Sequence, residues 1–310
     1  MITFAFCTYR RGDRLEKLVA AMRAQSSPVS FEILAVNNNS PDDTLAILER
    51  IATQPGAPLR VVTETTQGIV AARNRAVAES LSSDMLVFID DDELPHSGLL
   101  EAAWDAIHRE GARCAGGRVH VDFGKQIRPR WLGDELLGFL AEVDHGNSSF
   151  WIKEPTTPVW TANVAYDMAL FREHPGLRFD ARYSRKGTAI GGGEDVIMFQ
   201  TLLSMGVPMR YRPDMAVDHF VEGWRLNRLY FLRLHYQFGV QQGLYELPNY
   251  SRTLFGVPPF LVGQMLRHLG LTIGYALAGR RNLVRQAMNA THAMGMIEGY
   301  AARDGAGAPN

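Results

Sequence analysis

The chain has 310 residues, carries 32 Lys and Arg against 33 Asp and Glu for a formal net charge of -1, and is 46% hydrophobic. That balance offers no nucleic acid a basic surface at the level of the whole chain. The apolar fraction excludes a disordered chain and is enough for the core of one large α/β domain or two small ones.

The two cysteines, Cys7 and Cys114, sit in apolar runs without C-x-x-C spacing, which excludes a thiolate zinc site and suits buried free thiols in a reducing compartment. The first residues run straight into Ile2-Thr-Phe-Ala-Phe-Cys7 with no basic leader, so a secretory signal is not expected and the protein is expected to stay inside the cell. Ile2 to Cys7 reads as a strand. After the loop Thr8-Tyr9-Arg10-Arg11-Gly12, the segment Arg14 to Gln25 places Leu15, Leu18, Val19 and Met22 at the spacing of an amphipathic helix. Phe31 to Val36 is a second strand; Asn37 to Asp43 is a turn with helix-starting chemistry before Leu45, Ile47, Leu48 and Ile51. Leu59 to Thr63 is a third strand, and Gly68 precedes a helix from Ile69 to about Ser80 that carries Arg73.

The fourth strand, Met85-Leu-Val-Phe-Ile89, ends at four consecutive acids, Asp90, Asp91, Asp92 and Glu93. Five apolar residues without alternation read as a strand buried on both faces, so the acids emerge at its carboxyl end, where open α/β sheets bind ligands. Two carboxylates about 4 Å apart repel by roughly 4 kcal/mol at an effective dielectric near 20, and a divalent cation reverses that cost. The alternative is a solvated acidic turn leading into a helix. The alternation of strands and helices predicts an α/β fold with a mostly parallel sheet and right-handed crossovers.

Ser97 is expected to cap a helix from Gly98 to Arg109. Cys114 to Phe123 alternates as a strand, and a Pro- and Trp-containing region follows up to Pro158. Trp160 to Tyr166 reads as a short strand and Asp167 as the start of a helix. Ser184 to Gly193, with four glycines, is expected to act as a lid. Glu194 and Asp195 open a helix through Met205; Met209 to Arg212 and Met215 to Val217 look extended, leading to Asp218-His219. Beyond Trp224 the composition turns to Leu, Tyr, Phe and Arg at helical spacing. Phe260 to Ala278 has nearly membrane length, but Gln264, Arg267 and His268 interrupt it, so lying in the membrane interface is favoured over spanning it. A helical hairpin packed on the catalytic domain or on a second subunit of a homo-oligomer is the alternative for the tail.

Seven pieces, "FCTYRR", "EILAVNNNSPDDT", "GIVAARNRA", "FIDDDELP", "WTANVAYD", "GGGEDVIMFQTLLSMG" and "VDHF", together resemble the inverting family 2 glycosyltransferases of the GT-A fold, over about residues 2 to 222. The tail is similar to that of bacterial exopolysaccharide-type transferases. The resemblance implies a catalytic domain over 1–222, with a nucleotide-binding half at 1–93 and an acceptor half at 94–222, followed by a helical, membrane-associating region over 223–310.

It further implies that Thr8, Tyr9, Arg10, Asn38, Arg73, Asp90 and Asp91 bind the nucleotide sugar. Asn38 stands where the family usually has an acid that accepts from uracil; an amide accepts through its carbonyl but also donates. Asp90 and Asp92 match the DxD acids, the first toward the ribose or base, the second toward Mn2+ or Mg2+ and the diphosphate; His219 matches a further metal ligand. Asp195 matches the catalytic base, and Trp160, Asn163 and Glu194 line the acceptor side. The implied partners are a nucleotide-sugar donor, UDP-linked by preference, and a glycan or polyprenyl-linked acceptor at the inner face of the plasma membrane. A sugar nucleotidyltransferase and a non-catalytic nucleotide-sugar-binding subunit are the rival readings.

Overall fold

The computed structural model describes residues 1–185 and 190–303. These divide into two compact units, one of residues 1–124, 140–185 and 193–221, the other of 125–139, 190–192 and 222–303.

The first unit is built on a nine-stranded sheet. Its opening half alternates strand and helix: β1 (Ile2–Thr8), α1 (Gly12–Arg23), β2 (Phe31–Asn37), α2 (Thr44–Ala52), β3 (Leu59–Thr63), α3 (Ile69–Glu79) and β4 (Met85–Ile89). All five residues of β4 are buried, as a run without alternation requires, and α1 buries the Leu15, Leu18, Val19 and Met22 stripe. β3, β2, β1 and β4 are neighbours in that order and pair in parallel, so the carboxyl ends of β1, β2 and β4 open along one edge.

The later strands are β5 (Glu93–Pro95), β6 (Cys114–Asp122), β7 (Phe150–Ile152), β8 (Asn163–Asp167) and β9 (Met209–Phe220). Here the sheet turns mixed. β8 runs antiparallel to β4 and β6, β9 is parallel to β6, and β5 and β7 pair antiparallel with β9. The two extended segments expected near 209 and 215 are one strand, whose register against β6 shifts between Gly117 and Arg118. Only glycine fits there, since a Cβ on Gly117 would lie 1.8 Å from the Met215 carbonyl oxygen.

Ser97 does not cap the next helix. The residue before α4 (Leu99–Trp104) is Gly98, at φ 87°, and the helix widens into a π turn over Asp105–Arg109. Asp167 does cap α5 (Met168–Glu173), accepting from the Ala169 N–H. The strand expected from Trp160 starts only at Asn163. α6 (Glu194–Ser204) completes the unit.

The second unit holds α7 (Arg228–Gln241), α8 (Pro259–Leu277) and α9 (Leu283–Ala302). Glycines let α7 and its π-turn continuation approach α9 backbone to backbone. A Cβ on Gly239 would lie 2.1 Å from the His292 carbonyl oxygen, one on Gly299 2.0 Å from that of Val240, and Gly243 and Gly295 are equally confined. Among the described residues no helix is long and apolar enough to cross a membrane.

Candidate active site

The acid run leaves β4 and turns at once into β5. The Asp90 N–H donates to a Glu93 carboxylate oxygen at 2.8 Å, and the Glu93 N–H donates to the Asp90 carbonyl at 3.2 Å. β5 then pairs with β9 so that Glu93 stands opposite His219, and the Phe220 N–H donates to the Asp92 carbonyl at 2.9 Å. Residues more than a hundred positions apart are thereby fixed together: His219 Nδ1 lies 3.3 Å from Asp92 Oδ1 and 3.5 Å from Glu93 Oε1.

The charges in this corner do not balance locally. Burial and the neighbouring Asp92 push Asp91 up to about 7, and burial pushes Glu93 up to about 8. Burial alone would lower His219, but the Asp92 and Glu93 carboxylates outweigh it and raise the imidazole to about 10. Such an enclosure of carboxylates and one imidazole suits a hard divalent cation. Asp92 and His219, the two metal ligands expected from the sequence, are brought together here. Among the described residues no group of three or more His, Cys, Asp or Glu is arranged to hold a metal ion without further ligands.

Arg73, on α3, is buried rather than set on a solvated helix face. Its Nη1 donates to Glu194 Oε1 at 2.5 Å and its Nη2 to Asp90 Oδ1 at 3.2 Å. Burial works against the guanidinium, yet Glu194, Asp90 and Asp195 hold its pKa above the ordinary value. Arg73, expected to bind the nucleotide sugar, thus meets two of the protein's own carboxylates, on Asp90 and Glu194. Glu194, expected on the acceptor side, is 4% exposed and pairs with Arg73. Burial raises its pKa despite the arginine. Asp195, the next residue, is half-buried at the start of α6, and its Oδ1 accepts from the Val196 N–H at 2.8 Å. The chain reaches it through Gly191, Gly192 and Gly193, at φ 134°, 148° and 117°, backbone that side chains rarely adopt. Residues 186–189 of the expected lid lie outside the described residues.

Asn38, expected at the nucleotide base, is engaged by its own surroundings. Its amide donates to the Glu64 and Thr66 carbonyls at 3.3 and 2.7 Å, and its oxygen accepts from the Gly68 N–H at 2.8 Å and the Gln67 amide at 3.1 Å. Two donors and two lone pairs are thus all used in ordering the loop before α3, which removes the capacity to read a base. Thr8 is buried at the end of β1, where its carbonyl accepts from the Asn38 N–H and its side chain acts to lower the Asp91 pKa. Beside it Tyr9 is half-buried, and Arg10 is exposed at φ 58° with its N–H donating to Ser40 Oγ. Arg11 of the same loop is half-buried and acts on Asp91. Asn163, expected on the acceptor side, is buried and donates to the Arg118 and Met215 carbonyls at 3.0 and 2.8 Å, strapping β6 to β9 beside the register shift. Trp160 is half-buried, its ring packed against the core edge.

The sequence reading missed Glu93 as the residue that organises the acid turn, and Asn74, whose side chain brackets the Phe179 backbone through two hydrogen bonds of 3.0 and 2.9 Å. Glu93 had a signal in its place directly after the DxD acids. Asn74 had none, because its partner lies 105 residues away.

The family model described as glycosyl transferase family 2 matches residues 3–174, more than half of the chain and all the strands that carry the acids. The chain belongs to glycosyl transferase family 2. It is 31% identical over 276 residues to the glycosyltransferase AglE of Haloferax volcanii, covering 87% of this chain and 86% of that protein. Among solved structures it resembles the mannosyltransferase PcManGT of Pyrobaculum calidifontis in complex with GDP-Man and Mn2+, at 17% identity and a TM-score of 0.61, over 99% of this chain and 88% of that one. It also resembles S. aureus TarS 1–349 in complex with UDP, at 15% identity and a TM-score of 0.55, over 100% and 93% of the two chains. These likenesses establish the α/β fold of the GT-A family members, and the activity class is glycosyl transfer.

Proposed function

We propose that this chain is an inverting, metal-dependent hexosyltransferase that moves a sugar from a nucleoside diphosphate donor to a hydroxyl of a glycan or lipid-linked acceptor in surface polysaccharide synthesis. The observation that carries the reading is the convergence, on one sheet edge, of Asp90, Asp92 and His219 with the base candidate Asp195, linked by the buried Arg73. Asp92 and His219 would hold Mn2+ or Mg2+, and the bound cation would neutralise charge developing on the departing diphosphate. A family neighbour bound to GDP-Man with Mn2+ supports a divalent ion at such a site.

The chain's own residues do the rest. Tyr9 and Arg10 offer a ring and a guanidinium to the nucleoside and its phosphates. Asp195 accepts the proton of the acceptor hydroxyl as that oxygen attacks the anomeric carbon on the face opposite the leaving group. Arg73 ties Asp90 to α6, so the donor and the base keep one geometry. Because Asn38 is committed to its own loop, the choice of base is left to Tyr9, Arg10 and the neighbouring backbone. The testing experiment is a screen of UDP-, GDP- and dTDP-sugars with manganese, following release of nucleoside diphosphate. Turnover with at least one donor, lowered about 10²- to 10⁴-fold by Asp195→Asn, is the expected result; donor binding without turnover on any acceptor would leave a non-catalytic binding subunit.

A further inference from the structure

We infer that the outer face of α8 and the turn before it form a docking element that seats in an anionic lipid surface without crossing it. The inference concerns the second unit alone and does not depend on the transfer reaction.

The turn is built to display an aromatic. Leu254 and Val257 exchange backbone hydrogen bonds of 2.9 and 3.1 Å, and between them Phe255 is held at φ 52° and is 95% exposed. A bulky side chain in left-handed backbone is strained, and exposing it to water adds a second cost. Both costs make sense if the ring normally lies in an apolar medium. Leu254, Phe255, Val257, Pro259 and Val262 line a hollow of about 370 Å³ at the same end of α8.

The helix continues the pattern. Its inner line faces α9: Leu261 is buried, Met265 packs beside Met296 and Tyr300, and the Gln286 amide donates to the His268 carbonyl at 3.2 Å. The outer line is Val262, Leu266, Leu269, Ile273 and Leu277, spaced 4, 3, 4 and 4 residues apart and so on one side of the helix. Leu266, Ile273 and Leu277 are 59%, 61% and 85% exposed. An apolar stripe of this length on a soluble surface marks an interaction site.

Charge selects the occupant. Residues 247–297 contain no Asp or Glu but five arginines, of which Arg252, Arg267, Arg280 and Arg281 are exposed. A second copy packed on this face would bring the same cations with no acid to meet them. Anionic headgroups supply what is missing, while the acyl region takes the stripe.

The test is flotation of the full chain with vesicles of phosphatidylcholine alone and of phosphatidylcholine mixed with phosphatidylglycerol, at low and high salt. The chain should float with the mixed vesicles, weakly with the neutral ones, and less as salt rises. The variant Phe255→Ser/Leu266→Ser/Ile273→Ser should partition at least about tenfold less while keeping its circular dichroism and melting temperature, since all three side chains are already exposed. Arg280→Gln/Arg281→Gln should flatten the salt dependence. A wild-type chain that stays unbound, equal binding to both vesicle types, a triple variant that binds as well as wild type, or a stable dimer that the triple variant dissociates would each overturn the inference.

Discussion

Arg73 and Glu194, separated by 121 positions, form a nearly dry ion pair whose side chains are 5% and 6% exposed, and the same guanidinium reaches Asp90. Removing one partner of a buried pair strands the other charge at a cost of about 3 to 5 kcal/mol, whereas removing both is far cheaper. Arg73→Met should therefore lower stability by roughly that amount, and Arg73→Met/Glu194→Leu should recover most of it. Urea unfolding of the two variants checks this. Additive losses would mean that the pair is not coupled.

Asp195 is the residue on which the chemistry turns. General-base assistance contributes about 10²- to 10⁴-fold, roughly 3 to 5 kcal/mol of barrier. Asp195→Asn should lower kcat by that factor with donor affinity little changed, because the amide preserves the shape and the contact to the Val196 N–H. Steady-state rates beside calorimetric donor binding separate the two effects.

Asp92→Ala should abolish metal-dependent binding of nucleoside diphosphate and leave the sheet pairing in place, since it keeps the carbonyl that accepts from the Phe220 N–H and removes the carboxylate beside His219. Excess chelator should do the same to the wild type, reversibly on adding manganese. Full turnover in chelator would remove the cation from the reaction.

In the second unit His235 is buried beside Phe139, Phe238 and His292, with Arg285 near enough to act on it. Burial, then Arg285 and His292, lower its pKa from 6.5 to about 3, and His292 is lowered by burial and Arg285. The unfolded chain takes up these protons near 6.5 and the folded chain does not, so stability is fully present above about 6.5 and falls as pH drops toward 3. His235→Phe should flatten that slope. Melting temperatures between pH 7.5 and 4.5 would show it.

Gly299 and Gly295 of α9 face backbone atoms of α7. A side chain at either would force the helices apart, at roughly 1 to 3 kcal/mol or more. Gly299→Val should lower the melting temperature of the helical signal, while Gly274→Ala on α8, where a Cβ meets nothing within 4 Å, should not.

The sequence by itself determined the alternation of strands and helices as far as β4, because burial on two faces leaves an uninterrupted apolar run and burial on one leaves a helical stripe, both local signals. It also determined that four acids end β4 and that two acids open α6. Only the tertiary structure decided what these side chains face. Asn38, Glu194 and Asn163 look like binding residues in the chain, yet Asn38 has all its side-chain polar atoms, and Glu194 and Asn163 one each, engaged by segments 26 to 121 positions away. Arg73 stands in the chain as a nucleotide-binding candidate, and its pairing with Glu194 exists only once α6 is placed against it. His219 meets Asp92 because β5 pairs antiparallel with β9, and the sheet's change from parallel to mixed is a matter of strand pairing that no local period encodes. Hydrophobic periodicity reports whether a side chain is buried; which partner it is buried against depends on non-local register, and that is fixed only when the sheet closes.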